Sequence, residues 1–212
     1  MQDKFTNGRP NYDEVAGVIF TPDVAPYEFM KLRLLNSAHS ALSYISLLLG
    51  HSYVYSAMAD SSVANYVRKY MAEIATTLDP VQGVDLEEYQ NTLVERFSNP
   101  EIADTLLRLA LNGSQKFHST LPLALEKLKT GGAAPRAVCF AFAAYFQWAA
   151  TADNVDDPLA SELVSAAKAG NVGDFLKLFV GSEENAEWLR KGVEKFVADI
   201  CEEGCRAVVD GV

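Results

Sequence analysis

An all-α fold, a bundle of about eight or nine helices behind a short irregular N-terminal segment, follows from three features of the sequence. Apolar residues recur at helical spacing in nearly every segment after residue 20. Strand-type alternation is almost absent there, and short breakers built on Gly, Asn-Pro or Asp-Pro separate the segments. With 212 residues, 49% of them hydrophobic and 22% charged, the chain is long and apolar enough to bury a sizeable core.

In order, Asn7-Gly8-Arg9-Pro10 is turn chemistry, and the β-branched run Gly17-Val18-Ile19-Phe20 predicts a brief extended piece. Asp23, Pro26 and Glu28 read as the cap and first turn of a helix that runs to Gly50. Residues 61–78 repeat the pattern and stop at Asp79-Pro80. Asp85 caps a helix over 86–97 that ends at Ser98-Asn99-Pro100, and 100–111 reads as helical up to Asn112-Gly113. Ser114 caps the next stretch, which runs toward Lys129 and closes at Gly131-Gly132. Pro122 inside it predicts a kink or a later start. Helices over 135–150, 158–169, 172–179 and 183–208 complete the set, with connections of ordinary bundle length and no internal repeat.

Composition excludes several functions. A formal charge of −10 lacks the basic footprint that nucleic acid requires. No apolar run reaches the roughly 20 residues of a membrane span, and MQDKFTNGRP is neither a signal peptide nor an anchor, so a cytoplasmic protein is expected. Cys139, Cys201 and Cys205 form neither a disulfide framework nor a CxxC zinc pair. Cys201 and Cys205, four apart, are expected to share a helix face as reduced packing residues. Residues 153–157 lack the ligand spacing of a calcium loop and read as a solvated loop. No GxGxxG occurs in the chain, so it carries no dinucleotide fingerprint of its own.

Chemistry concentrates in residues 26–39. On a helix advancing about 100° per residue, His39 lies about 80° and Asn36 about 140° from Lys31, so three polar groups span one side of an otherwise apolar segment. Burial of an amine, an amide and an imidazole is costly unless they have partners or a task. The bland alternative is that Lys31 reaches water while Asn36 and His39 bond to neighbouring backbone.

The order of residues 23–39, DVAPYEFMKLRLLNSAH, strongly resembles the helix of the polyol-specific long-chain dehydrogenases, the family that includes mannitol 2-dehydrogenase and fructuronate reductase. Lys31, Asn36 and His39 match that family's Lys-x4-Asn-x2-His signature, and DKFTNGRP resembles the segment where its nucleotide domain hands over to its helical domain. The resemblance implies a helical domain like the C-terminal domain of 6-phosphogluconate dehydrogenase. Residues 1–22 would join a nucleotide-binding domain absent from this chain, and 23–212 would form the substrate-binding and catalytic domain. It further implies NAD as cofactor, held mainly by that absent Rossmann domain, with no metal, and D-mannitol oxidised to D-fructose. Lys31 would be the general base, a role a lysine fills near neutral pH only where desolvation or a neighbouring cation such as Arg33 favours its neutral form. Asn36 and His39 would donate hydrogen bonds to the reacting oxygen, and an asparagine of the nucleotide domain would complete the site. Arg108 and Lys116 correspond to the family's substrate-binding basic residues.

Other readings remain open at this level. Arg108 and Lys116 also fit a solvated helix-turn-helix surface, and their charges would equally suit a sugar-acid carboxylate, as in a fructuronate reductase. His118 follows Lys116 into the same cleft or caps a helix, and His51 reads as loop structure. Tyr145, Phe146 and Trp148 read as core. A non-enzymatic helical module that only binds or oligomerises is the alternative of a different class, and a domain without its partner is expected to self-associate through the exposed face.

Overall fold

Asp23 starts the first long helix by accepting the Ala25 N–H at 3.0 Å, and Pro26 sits in the first turn, where its missing N–H is no loss. The computed structural model, which describes residues 1–15 and 17–212, carries this helix on to Leu48 as three continuous pieces. They are α1 (Ala25–Met30), a π-helical stretch (Lys31–Asn36) and α2 (Ser37–Leu48). Ser37, Ser40 and Ser43 turn their hydroxyls back onto the carbonyls of Arg33, Asn36 and Ser40, which lets these polar residues sit on the buried side.

The nine expected helical stretches resolve into twelve α-helices among the described residues. α3 (Val54–Met58) is too short to show periodicity in the sequence. α4 (Ser61–Ala75) and α5 (Leu86–Phe97) start where Asp60 and Asp85 cap them. Residues 100–111 are not one helix: a 3-10 turn (Pro100–Ile102) ends at Ala103 in the left-handed region, φ 45°, before α6 (Leu106–Ala110). The cause is tertiary, because Asp104 and Leu106 pair through their backbones with the loop at Ser52 and Val54. α7 (Gly113–Thr120) and α8 (Pro122–Lys129) divide at Pro122, as its ring requires. Ser114 lies inside α7 rather than capping it, with its N–H and hydroxyl bonded to Asp157. α9 (Arg136–Thr151), α10 (Ala160–Lys168), α11 (Val172–Lys177) and α12 (Glu183–Gly211) follow.

α9 is the central element. Twelve of its residues are buried, including Tyr145, Phe146 and Trp148, and α2, α4, α10 and α12 pack around it. Rings of Tyr44, Phe117, Phe175 and Phe179 join its own Phe142 and Tyr145 in one aromatic cluster. Gly113 is required there, since a Cβ at that position would lie 1.9 Å from the Tyr44 hydroxyl oxygen.

Two expectations are corrected. Cys201 and Cys205 do not share a face: Gly204, at φ 83°, interrupts α12 between them, leaving Cys201 exposed and Cys205 buried. Asp157 is not simply solvated, because its carboxylate accepts from Ser114, Leu159 and Tyr145 and ties the loop after α9 to the start of α7. At the N-terminus residues 18–20 join no strand. The segment closes on itself through the Met1 ammonium on the Ile19 carbonyl, 2.6 Å, and Arg9 over the Phe20 ring, 4.0 Å. Among the described residues no helix is long and apolar enough to cross a membrane.

Candidate functional site

The continuous helix from Ala25 to Leu48 carries Lys31, Asn36 and His39, and a π turn falls between the first two. Its π turn holds one residue more than an α turn, marked by the Ser37 N–H bonding the Leu32 carbonyl five residues back. Residues five apart, which a regular helix sets about 140° from one another, are rotated toward a common face. π-bulges concentrate at functional sites, and nothing in residues 31–36 announces this one.

None of the three signature side chains has an internal hydrogen-bond partner among the described residues, although Asn36 and His39 are half-buried. The bland alternative of local bonds to backbone is therefore absent for Asn36 and His39. His39 packs on the Phe97 ring, centroids 4.5 Å apart, and lines a cavity of about 230 Å³ with Leu35, Tyr55, Arg96, Asn99, Asp104 and Arg108. Ligand pockets span roughly 300–1,000 Å³, so this recess is smaller than a typical ligand site.

Burial pulls the His39 imidazole down to about 4, with Arg108, Lys116 and Arg96 pulling the same way and Asp104 opposing. The ring is accordingly neutral at physiological pH and presents one N–H donor. Above about pH 6.5 it is neutral in both the folded and unfolded chain. Between about 6.5 and 4 only the unfolded chain takes up the proton, so stability falls as pH falls through that window. Urea unfolding at pH 7 and pH 5 is expected to differ by about 2 kcal/mol from this group alone, and His39→Gln should remove that difference. An unchanged profile in the variant would assign the loss to other groups.

Lys31 is placed differently. It is exposed and lines a separate concavity with Met1, Ile19, Thr21, Val24, Tyr27 and Glu28. Arg33, expected to act on Lys31, is buried instead, donates to the Thr77 carbonyl beyond the end of α4 at 2.9 Å and stacks toward Phe29. A regular helical wheel already sets Arg33 about 200° from the exposed Lys31, on the core side of the helix.

Arg108 and Lys116 are both engaged within the chain, and the Arg108 side chain is exposed, as the solvated-surface alternative expects. Arg108, in α6, makes a two-pronged pair with Asp104: Nε to Oδ1 at 2.6 Å and Nη2 to Oδ2. Asp104 is held below the usual carboxylate range chiefly by this contact. Lys116 is half-buried, with its ammonium on the Leu109 carbonyl at 2.8 Å, and burial followed by Arg108 lowers its pKa. His118 is exposed and faces a different concavity beside Phe29 and Arg33, away from the His39 recess. His51 lies in the loop after α2 with Nε2 3.5 Å from Asp60. Arg96, Asn99 and Asp104 are cavity residues that sequence reasoning missed. Proximity to the 98–100 breaker and, for Asp104, i,i+4 spacing to Arg108 are the local signals, while the backbone pairing that folds this stretch onto Tyr53 is invisible in sequence. Among the described residues no three His, Cys, Asp or Glu side chains cluster as a metal site would.

The family pattern described as the mannitol dehydrogenase C-terminal domain matches residues 23–191. The chain is 38% identical to mannitol dehydrogenase DSF1 of Saccharomyces cerevisiae, over 80% of this chain and 35% of that protein. It is 36% identical to mannitol 2-dehydrogenase of Pyricularia oryzae, over 99% of this chain and 44% of that one. A solved structure of Pseudomonas fluorescens mannitol 2-dehydrogenase, in ternary complex with NAD and D-mannitol, superposes with TM-score 0.88 and 32% identity, covering 99% of this chain and 45% of that one. A substrate-free D-sorbitol dehydrogenase gives TM-score 0.88 at 26% identity over 98% and 45%. The chain thus spans less than half the length of the relatives it matches.

Proposed function

The chain belongs to the mannitol dehydrogenase C-terminal domain family, and from that premise we propose that it is the substrate-binding and proton-transferring half of an NAD-dependent polyol dehydrogenase of the D-mannitol to D-fructose type. The observation that carries the reading is the trio of Lys31, Asn36 and His39: three polar side chains on one π-widened helix, with no side-chain hydrogen bond to the described residues and with His39 in a recess. In this reading Lys31 takes the proton from the substrate hydroxyl and returns it when a ketone is reduced. Asn36 and the neutral His39 donate to the same oxygen as charge develops on it, and such preorganised donors contribute a few kcal/mol each, roughly. Arg108 and Lys116 contact hydroxyls away from the reacting carbon.

NAD supplies the acceptor for the hydride. The described residues form no strand and no glycine-rich strand-to-helix turn, and in this proposal the cofactor is held by a Rossmann-type domain outside this chain. Residues 1–22 lead toward that domain and 23–212 form the helical domain. An asparagine from the nucleotide domain completes the oxyanion site. The exposure of Lys31 fits the same picture, because docking of a second domain is what would dry its surroundings. A cytoplasmic location belongs to the same proposal, since free thiols such as these three persist in a reducing compartment.

The rival sugar-acid reading is disfavoured by the commitment of both cations, Arg108 to Asp104 and Lys116 to the Leu109 carbonyl. The test joins this chain to its nucleotide-binding domain and compares NAD-dependent oxidation of D-mannitol with reduction of D-fructuronate. Mannitol turnover supports the proposal, and fructuronate turnover alone overturns it. The exposed Lys31 is also what a module that only binds or oligomerises would show. On either reading the chain alone is expected to self-associate through its uncovered face, where Phe29 and Leu123 stand exposed. Light scattering at high concentration checks this, and a strictly monomeric chain would contradict it.

A further inference from the structure

Arg96 and Arg108 border the same small cavity as His39. Two guanidinium groups beside a substrate recess are the arrangement that captures a carboxylate, through the paired N–H fork. In this chain the fork of Arg108 is already filled. Asp104 receives Nε and Nη2 on its two oxygens, the same geometry a sugar-acid carboxylate would adopt. Asp104 is also fixed from behind. Its carbonyl accepts the Val54 N–H at 3.0 Å, its neighbour Thr105 bridges to Tyr53 and caps α6, and the Asp104 side chain is only 18% exposed.

We propose that Asp104 is a specificity-determining residue: an internal carboxylate that occupies the Arg108 fork and so makes the His39 recess accept neutral polyols and refuse sugar acids. The inference rests on the recess being the substrate site. An anionic ligand must either break the Asp104–Arg108 pair or sit beside a second negative charge, and both disfavour it. A neutral polyol meets neither obstacle, and its hydroxyls can donate to the lone pairs of Asp104 that Arg108 leaves free. Arg96 has no ion pair among the described residues, and Arg96 and Arg108 are both exposed, so solvent and salt screen both cations, whereas the Asp104 carboxylate between them is largely buried. Loss of the Asp104 charge therefore leaves two cations with no internal carboxylate and opens the Arg108 fork to an incoming one.

The test uses the chain itself and the His39 imidazole as reporter, one of only three histidines in the sequence. D-mannonate and D-mannitol, matched except for the carboxylate, are titrated into wild type and Asp104→Asn while the His39 ring resonance is followed by NMR. The variant is expected to bind D-mannonate about tenfold or more tighter than wild type does, with D-mannitol affinity changed much less. Its His39 should also titrate lower, because Asp104 is the group that opposes Arg108, Lys116 and Arg96 around that ring. Asp104→Glu, which keeps the carboxylate, should restore refusal of D-mannonate and guards against a variant that merely misfolds. Equal D-mannonate affinity in wild type and Asp104→Asn, or no response to D-mannonate in either, overturns the proposal. The polyol-dehydrogenase reading fails separately, by absence of mannitol turnover in the joined enzyme.

Discussion

Lys31→Ala, in an enzyme assembled from this chain and its nucleotide-binding domain, is expected to lower kcat for D-mannitol oxidation by about 10²–10⁴-fold, the usual contribution of a positioned general base. Lys31 is exposed in this chain and makes no internal hydrogen bond among the described residues, so its removal leaves no buried partner unsatisfied. The variant should therefore unfold at the same urea concentration as wild type. That combination, lost turnover with retained stability, separates a chemical role from a structural one. Steady-state kinetics beside a urea melt reads both. Activity surviving nearly unchanged would remove Lys31 from the mechanism.

The second large effect is expected at the two proposed donors. Loss of one preorganised donor to a developing oxyanion costs about 10²–10³ in kcat, so Asn36→Ala and His39→Ala should each fall in that range. Acting on one oxygen in one transition state, they are expected to combine non-additively, with the double variant less impaired than the product of the two single effects. His39 adds a further distinction. Its ring is already neutral well below pH 7, so kcat in the neutral range should carry no inflection from it. His39→Gln, which keeps an N–H donor, should recover part of the loss that His39→Ala shows. Strict additivity, or no recovery with glutamine, would mean the two groups do not share an oxygen.

How much of this was legible in the residues divides along physical lines. Caps and breakers act within a few residues, so Asp85 before Leu86 and Pro122 between α7 and α8 set boundaries the sequence declares. The failure at 100–111 came from a long-range contact: backbone pairing between residues 52–54 and 104–106 overrides a helical pattern. At the candidate site, Lys31, Asn36 and His39 could be proposed because their order resembles a family signature. Their spatial relation could not, since it depends on a π turn that no residue in 31–36 encodes visibly. The pairing of Arg108 with Asp104 was locally readable from i,i+4 spacing, yet the aspartate's place in the His39 recess emerges only once the loop at Tyr53 folds against it.

The most direct test of the shared-oxygen account is a structure of the joined enzyme with NAD and D-mannitol bound. One substrate oxygen is expected within about 2.6–3.2 Å of Lys31 Nζ, Asn36 Nδ2 and a ring nitrogen of His39 together. A substrate held by His39 while Lys31 still faces solvent in its own separate concavity would contradict it.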